Sequence, residues 1–298
     1  MQIKVNNLEK KFGKQVALDK IDLVFENSSR TALVGPNGSG KSTLMRALMG
    51  TIHCQGDVYF NDLLLKRPPA LDHTIAYIPQ FAPQTRAPVQ DLLDTVCCLR
   101  ELNPDLVMAC ADELNFDLAA NLEKEVGNLS GGMRQKLMIS MAMAAPVDLL
   151  VMDEPTASLD SESRSAFMQM FDRVTAETTV ILASHRSDEL RSLVDNIVLL
   201  REGAVAYHGD ARSFLARSTR TVIELRCDEN GGHDWLRDMG FKQVHPQQWV
   251  GAFPSDNKEQ ILNTLGWKRK PSVHDIIVHD VEHVEFESSE NCEKVCNV

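Results

Sequence analysis

Along the chain, short apolar runs alternate with longer stretches of helical spacing, the rhythm of an α/β fold. Four runs read as buried strands: Thr31–Val34, Leu149–Met152, Thr179–Ala183 and Ile197–Leu200. The first runs straight into a glycine-rich loop, with a helix expected over Thr43–Met49. The second ends in Asp153-Glu154, the third in Ser184-His185, and the fourth is followed by the turn Arg201-Glu-Gly203. An open parallel sheet builds its ligand site where such strands end. Between Pro79 and Asn128 the pattern turns helical, with helices expected over Val89–Leu102 and Pro104–Leu114. Past about Asp210 a second alternation begins: strand Thr221–Leu225, helix Asp234–Met239, strand Gln248–Phe253, helix Lys258–Leu265. It predicts a small separate α+β domain with a core around Val222, Ile223, Leu236, Phe241, Trp249 and Phe253.

With 43% hydrophobic and 24% charged residues, the 298-residue chain has room for one large domain and a smaller one. The longest apolar stretch, around Leu137–Met152, is interrupted by Pro146 and Asp148, short of the ~20 residues of a membrane span. Charges come before any apolar run at the start, so no secretory signal is expected. The net charge of −11 argues against nucleic-acid binding by phosphate neutralisation. Part of that excess lies in the acidic tail from Asp275 to Glu293. The seven cysteines have no framework spacing and are expected as reduced thiols in a cytosolic compartment.

The residues Gly35, Pro36, Asn37, Gly38, Ser39, Gly40, Lys41 and Ser42 fit G-x-x-x-x-G-K-S, with Thr43 opening the helix behind them. The glycines let backbone N–H groups curl around phosphate oxygens, and the helix adds its positive N-terminal end. Lys41 is expected on the β- and γ-phosphates and the Ser42 hydroxyl on Mg²⁺. Asp153 and Glu154, adjacent at a strand end, point different ways and can divide their labour. Asp153 is expected to hold Mg²⁺, and Glu154 to act as general base on the attacking water. His185, at the next strand end, is expected to touch the γ-phosphate and position that water.

Together these residues resemble the ATP-binding subunits of ABC transporters, over roughly residues 1 to 212. The most specific element is Leu129-Ser130-Gly131-Gly132-Met133-Arg134-Gln135, which looks like the ABC signature. Ser130 is a good N-cap for an expected helix Met133–Ala145, whose methionines at 133, 138, 141 and 143 read as core packing. The resemblance implies that Ser130, Gly131 and Gly132 close over ATP held by a second copy, in a head-to-tail dimer. It also implies that Gln80 touches Mg²⁺ and senses a membrane partner. Asp160, in Ser158-Leu159-Asp160, would lie at the dimer interface, and Phe12 would stack on adenine.

The implied fold is a P-loop NTPase (ABC ATPase) core, residues 1–212, with a helical subdomain at about 82–148 and a C-terminal accessory domain at 213–298. ATP and Mg²⁺ are the implied ligands. The implied partners are a second copy and integral membrane permease subunits, with the chain peripheral on the cytoplasmic face. Phe81–Asp94 is the expected docking surface for the permease, through the exposed-looking Phe81, Pro83, Pro88 and Val89. Pro271–Asp280 resembles the close of extensions on ATPases of ABC-2 type exporters, whereas His73–Leu93 hints at metal-importer ATPases. A soluble ABC ATPase without a transport role is the competing class, and a nucleotide-binding scaffold without turnover a third. His233, His245, His274, His279, His283, Cys292 and Cys296 fit either a metal-binding tail or a solvated acidic one.

Overall fold

Parallel pairing of strands far apart in sequence organises the larger part of the molecule. A computed structural model describes residues 1–65, 74–144, 147–218, 220–227, 234–254, 257–267 and 273–281. They fall into two compact units, Met1–Gly209 and Asp210–Val298.

In the first unit the four expected strands form as β3 (Arg30–Val34), β7 (Leu149–Asp153), β8 (Thr179–Ala183) and β9 (Asn196–Arg201), and a fifth, β6 (Ile75–Ile78), joins them. These five run parallel, and β10 (Ala204–Asp210) adds an edge, giving the order β10-β9-β3-β8-β7-β6. Every residue of β7 and β8 is buried, as expected of strands covered on both faces. A second sheet is antiparallel, with the order β2-β1-β4-β5, built from β1 (Ile3–Phe12), β2 (Gln15–Phe25), β4 (Gln55–Phe60) and β5 (Leu63–Leu64). Its inward residues Ile3, Val5, Leu18, Ile21 and Phe25 share one core with Leu33, Val151 and Val198 of the parallel sheet. Leu44, Met45 and Leu48 of α1 (Lys41–Leu48) join the same core. Each such side chain contributes about 1.5–3 kcal/mol by leaving water.

The helical stretch contains α2 (Val89–Arg100), α3 (Pro104–Glu113) and α4 (Gly131–Met143), with 3₁₀ turns at Ala119–Asn121 and Val126–Asn128. Pro104 opens α3 in its first turn, and the Asn103 side chain accepts a hydrogen bond from the Asp105 N–H at 2.9 Å. The helix α4 starts two residues before Met133, because Ser130 caps glycines that helix propensity alone would leave outside. Met141 and Met143 are buried, while Met133 and Met138 are only half-buried, so half of the expected methionine packing is at the helix margin. After β7, helix α5 (Ser161–Val174) buries Phe167 and Phe171, and α6 (Ser187–Ser192) follows β8.

The second unit opens with α7 (Ala211–Ser218) and then forms a β-α-β-β-α-β arrangement. Its elements are β11 (Arg220–Cys227), α8 (Asp234–Asp238), β12 (Lys242–His245), β13 (Gln248–Pro254), α9 (Lys258–Trp267) and β14 (Val273–Val281). The sheet order is β12-β13-β11-β14 and every neighbour is antiparallel. Of the expected core, Ile223, Leu236, Phe241 and Trp249 are buried, and Phe253 packs half-buried with its ring 5.0 Å from that of Phe241. Leu225, Cys227 and Leu265 complete it. The Val222 side chain, Pro146, His73, His233, His283 and the part of the acidic tail after Val281, with Cys292 and Cys296, lie outside the described residues.

Candidate functional site

A cleft of about 220 Å³ opens where the phosphate loop meets the ends of β6 and β7. The loop is shaped by close backbone approaches. At Gly35, with φ at 147°, an added Cβ would sit 2.2 Å from the Leu200 carbonyl oxygen; at Gly40, with φ at 109°, one would sit 2.5 Å from that of Ala17. A side chain at either position would push the loop off its supports. Ser39 is buried and its carbonyl accepts from the Gly203 N–H at 3.1 Å, which ties the loop to the turn after β9.

Phe12, Asn37, Gly38, Gly40, Lys41, Ser42, Thr43, Gln80, Asp153 and Glu154 line this cleft. Lys41 donates from Nζ to the carbonyls of Gly35 at 2.7 Å and Pro36 at 3.1 Å. Burial pushes its pKa down, against the pull of the Glu154 and Asp153 charges. Burial pushes the Asp153 carboxyl up, aided by the Glu154 charge and opposed by the Ser42 hydroxyl hydrogen bond and by Lys41 and Arg46. A buried carboxylate bonded to a hydroxyl is a set of hard oxygen donors, the kind Mg²⁺ takes. The Phe12 ring is 52% exposed, with Lys10 Nζ 4.9 Å from its centroid. One face of the ring is thus covered by a cation, while the residue is half exposed and lines the cleft.

Glu154 has a left-handed backbone, with φ at 49°, held by its N–H donating to the Ala183 carbonyl at 2.9 Å. A non-glycine residue in that region is uncommon and marks the turn as one imposed by its surroundings. The turn brings Oε1 within 3.1 Å of His185 Nδ1, with the His185 side chain 62% exposed and that of Glu154 only 18%. His185 thus joins the site through Glu154 without lining the cleft. Gly35, Pro36 and Ser39 form the loop's supporting side.

A family model described as ABC transporter matches residues 18–157. The tungstate uptake system ATP-binding protein TupC of Peptoclostridium acidaminophilum is 30% identical over 223 residues, covering 72% of this chain and 100% of the relative. This chain belongs to the ABC transporter ATP-binding family, and it is an ATPase. Another relative of this ABC ATPase is the glycine betaine uptake system ATP-binding protein YehX of Escherichia coli, 28% identical over 74% of this chain and 75% of the relative. A sulfate/thiosulfate import ATP-binding protein, CysA 2 of Rhizobium meliloti, is 28% identical over 70% of this chain; the match spans 60% of that protein's length. Among solved structures, an ATP-binding subunit of an ABC transporter superposes with a TM-score of 0.64 at 24% identity, covering 72% of this chain and 92% of that one. A dimeric bacterial ABC transporter cassette gives 0.63 at 21%, covering 70% and 99%. At these identities the structures speak for the fold.

Ser130, Gly131, Gly132 and Asp160 of this ABC ATPase do not line the cleft. They gather elsewhere in the same unit. Ser130 caps α4, accepting from the Met133 N–H at 3.2 Å, and a Cβ on Gly132 would stand 2.9 Å from the Ser158 carbonyl oxygen. Asp160 caps α5, accepting from the Ser163 N–H at 2.8 Å and from its hydroxyl at 3.0 Å, with Lys136 3.3 Å away. These Ser163 bonds first, and then Lys136, hold its carboxyl below the usual range. Sequence reasoning missed Gln15 and Ala17, which line the cleft beside Phe12 without any motif to signal them. It also missed Glu189, a buried carboxylate behind the ends of β7 and β8 that accepts from the Thr156 and Ser184 hydroxyls. On the expected permease-facing stretch, Phe81 is 80% exposed, whereas Val89 is fully buried. Val89 is the first residue of α2 and turns inward, which corrects its expected exposure.

Proposed function

We propose that the chain binds ATP with Mg²⁺ in this cleft, hydrolyses it within a head-to-tail dimer of two copies, and so drives transport through separate membrane subunits. The observation that carries the reading is the convergence of the phosphate loop, the Ser42–Asp153 contact and the Glu154–His185 pair on one cleft edge. The backbone N–H groups from Asn37 to Thr43 surround the phosphates, and Lys41 swings from its loop carbonyls onto them. Phe12 stacks on adenine. Ser42, Asp153 and Gln80 hold Mg²⁺, which supplies charge neutralisation at the phosphate oxygens. Glu154 takes the proton of the attacking water, and His185 orients Glu154 while reaching toward the γ-phosphate.

Ser130, Gly131, Gly132 and Asp160 stand outside the cleft their own chain builds. This supports their use in trans, against the cleft of the partner copy, where the capped N-terminus of α4 offers free N–H groups to phosphate. On this reading residues 1–212 form the nucleotide-binding domain, with the helical subdomain at about 82–148, and 213–298 an accessory domain. No helix among the described residues is long and apolar enough to cross a membrane, which fits a peripheral subunit on the cytoplasmic face. The permease sets substrate and direction. The likeness of Pro271–Asp280 supports an ABC-2 type exporter, while the names of TupC, YehX and CysA 2 support import; identifying the membrane chain that co-purifies decides between them.

The test is Glu154→Gln, which keeps size and shape but cannot take a proton. It is expected to bind ATP, turn it over at a small fraction of the wild-type rate, and accumulate as an ATP-bound dimer in light scattering. Wild-type turnover, or a protein that stays monomeric with ATP both alone and in the full complex, would refute the assignment.

A further inference from the structure

Glu189, on the first turn of α6, is only 1% exposed, yet it carries a carboxylate. Its two oxygens reach two different strand-end loops. Oε1 accepts from the Thr156 hydroxyl, in the turn two residues after Glu154. Oε2 accepts from the Ser184 hydroxyl at 2.6 Å, in the residue before His185. Ser184 Oγ in turn accepts from the Arg186 N–H at 3.1 Å, and Arg186 Nε lies 3.4 Å from Oε1 while its guanidinium also donates to Asp188 at 3.0 Å. One buried carboxylate therefore bridges the loop that ends β7 and the loop that ends β8. Those loops carry the two side chains that meet at 3.1 Å, Glu154 and His185.

Filling this space does not require a charge. An apolar side chain of similar volume would avoid the cost of taking a carboxylate out of water, and buried ionic groups are often no better for stability than such replacements. What an apolar side chain cannot do is fix two hydroxyls, and through them two backbone turns, at a set separation. We infer that Glu189 is a positioning residue for ATP hydrolysis, holding the Glu154 turn and the His185 loop in register so that base and histidine stay in contact. This rests on the reading of Glu154 and His185 as the hydrolytic pair. The polar partners of the Glu189 carboxylate are Thr156, Ser184 and Arg186, and Glu189 does not line the cleft, so its loss should slow turnover without loosening nucleotide.

The experiment measures steady-state ATP turnover, nucleotide affinity and thermal stability on the full chain. Thr156→Val and Ser184→Ala each remove one arm of the bridge and leave the carboxylate in place; Glu189→Ala removes both, and Glu189→Gln keeps one acceptor. Each single-arm variant is expected to lose on the order of ten-fold in kcat and Glu189→Ala about a hundredfold, the scale of an ångström's misplacement of a reacting group. Glu189→Gln should recover part of that loss. KM for ATP and nucleotide Kd should stay within about two-fold, since the interaction acts on the chemical step. Combined with Glu154→Gln, none of these changes should lower the residual rate further, because both act through the same group.

Unchanged kcat in both single-arm variants would overturn the inference. So would KM rising in step with the fall in kcat, or losses that multiply with that of Glu154→Gln. If Glu189→Ala does not fold, the two single-arm variants carry the test. If Glu154→Gln alone turns over like wild type, the hydrolytic reading fails first and this inference falls with it; slow turnover by Glu154→Gln with unaffected bridge variants sinks only the inference.

Discussion

Replacing Lys41 by Ala removes the cation of the phosphate loop, and its effect on nucleotide affinity can be worked from the contacts. Lys41 faces its own loop carbonyls at 2.7 and 3.1 Å in this structure. Binding exchanges those bonds for a phosphate contact. A full charge pair at about 4 Å in an effective dielectric of about 20 is worth roughly 4 kcal/mol. The two hydrogen bonds given up are worth about 1 kcal/mol each. The net is about 2 kcal/mol, a loss of roughly thirty-fold in Kd at 1.4 kcal/mol per decade. Because burial already disfavours the Lys41 charge, removing it should leave the melting temperature of the nucleotide-free protein unchanged or slightly raised. Calorimetric titration of ATP into wild type, Lys41→Ala and Lys41→Arg, with melting curves alongside, makes the comparison. Lys41→Arg should recover charge but not fit. A Kd within two-fold of wild type for Lys41→Ala would refute the exchange argument. A large fall in melting temperature would show instead that Lys41 holds the loop together.

Asp153→Asn is expected to melt roughly one to a few degrees above wild type at neutral pH while losing Mg²⁺-dependent turnover. The folded state raises the Asp153 pKa, chiefly by burial, so its charge costs stability above that raised value, and the cost fades as pH falls toward the ordinary carboxylate range. The advantage of the variant should therefore shrink on acidification and vanish near pH ~4, which melting curves across pH will check. A chain ending at Gly209 should fold and bind ATP with near-normal affinity, while dimerisation or coupling to the permease changes; a folded chain that cannot bind nucleotide would mean that the second unit helps to build the site.

Four of the five parallel strands and the phosphate loop were legible because burial on both faces leaves unbroken apolar runs, and the loop chemistry tolerates few residue types; the four-residue β6, with Tyr77 only half-buried, was not. The antiparallel sheet of β1, β2 and β4 was not anticipated. Register shifts along β1, at Val5 to Leu8 and again to Lys11, break the period-two alternation that would have signalled it. The edge strand Lys242–His245 is exposed throughout and has no inward row to detect. Glu189 sits in Ser187-Asp-Glu-Leu190, which reads as a solvated acidic turn; only the fold, by bringing the Thr156 and Ser184 hydroxyls to it, turns one of its carboxylates inward. Asp160 was legible as part of a motif, but its local duty as a helix cap is visible only in the fold.

The strand order has a consequence for how the chain matures. β3 bears the phosphate loop, yet it pairs only with β8 and β9, with Arg30 opposite Val180 and Val34 opposite Leu199. Even the first residue is tied to this late segment, its ammonium donating to the Thr179 hydroxyl at 3.2 Å. During synthesis the loop-bearing strand has no neighbour until some 150 residues later, when the segment Thr179–Leu200 leaves the ribosome. Such distant pairing makes closure slow and leaves apolar strands uncovered meanwhile. Asp153 and Glu154 emerge shortly before that segment and His185 within it, so the site is incomplete through most of the interval. The parallel sheet, and with it the cleft at its strand ends, therefore closes late in synthesis, after the antiparallel sheet of β1, β2 and β4 has all its strands.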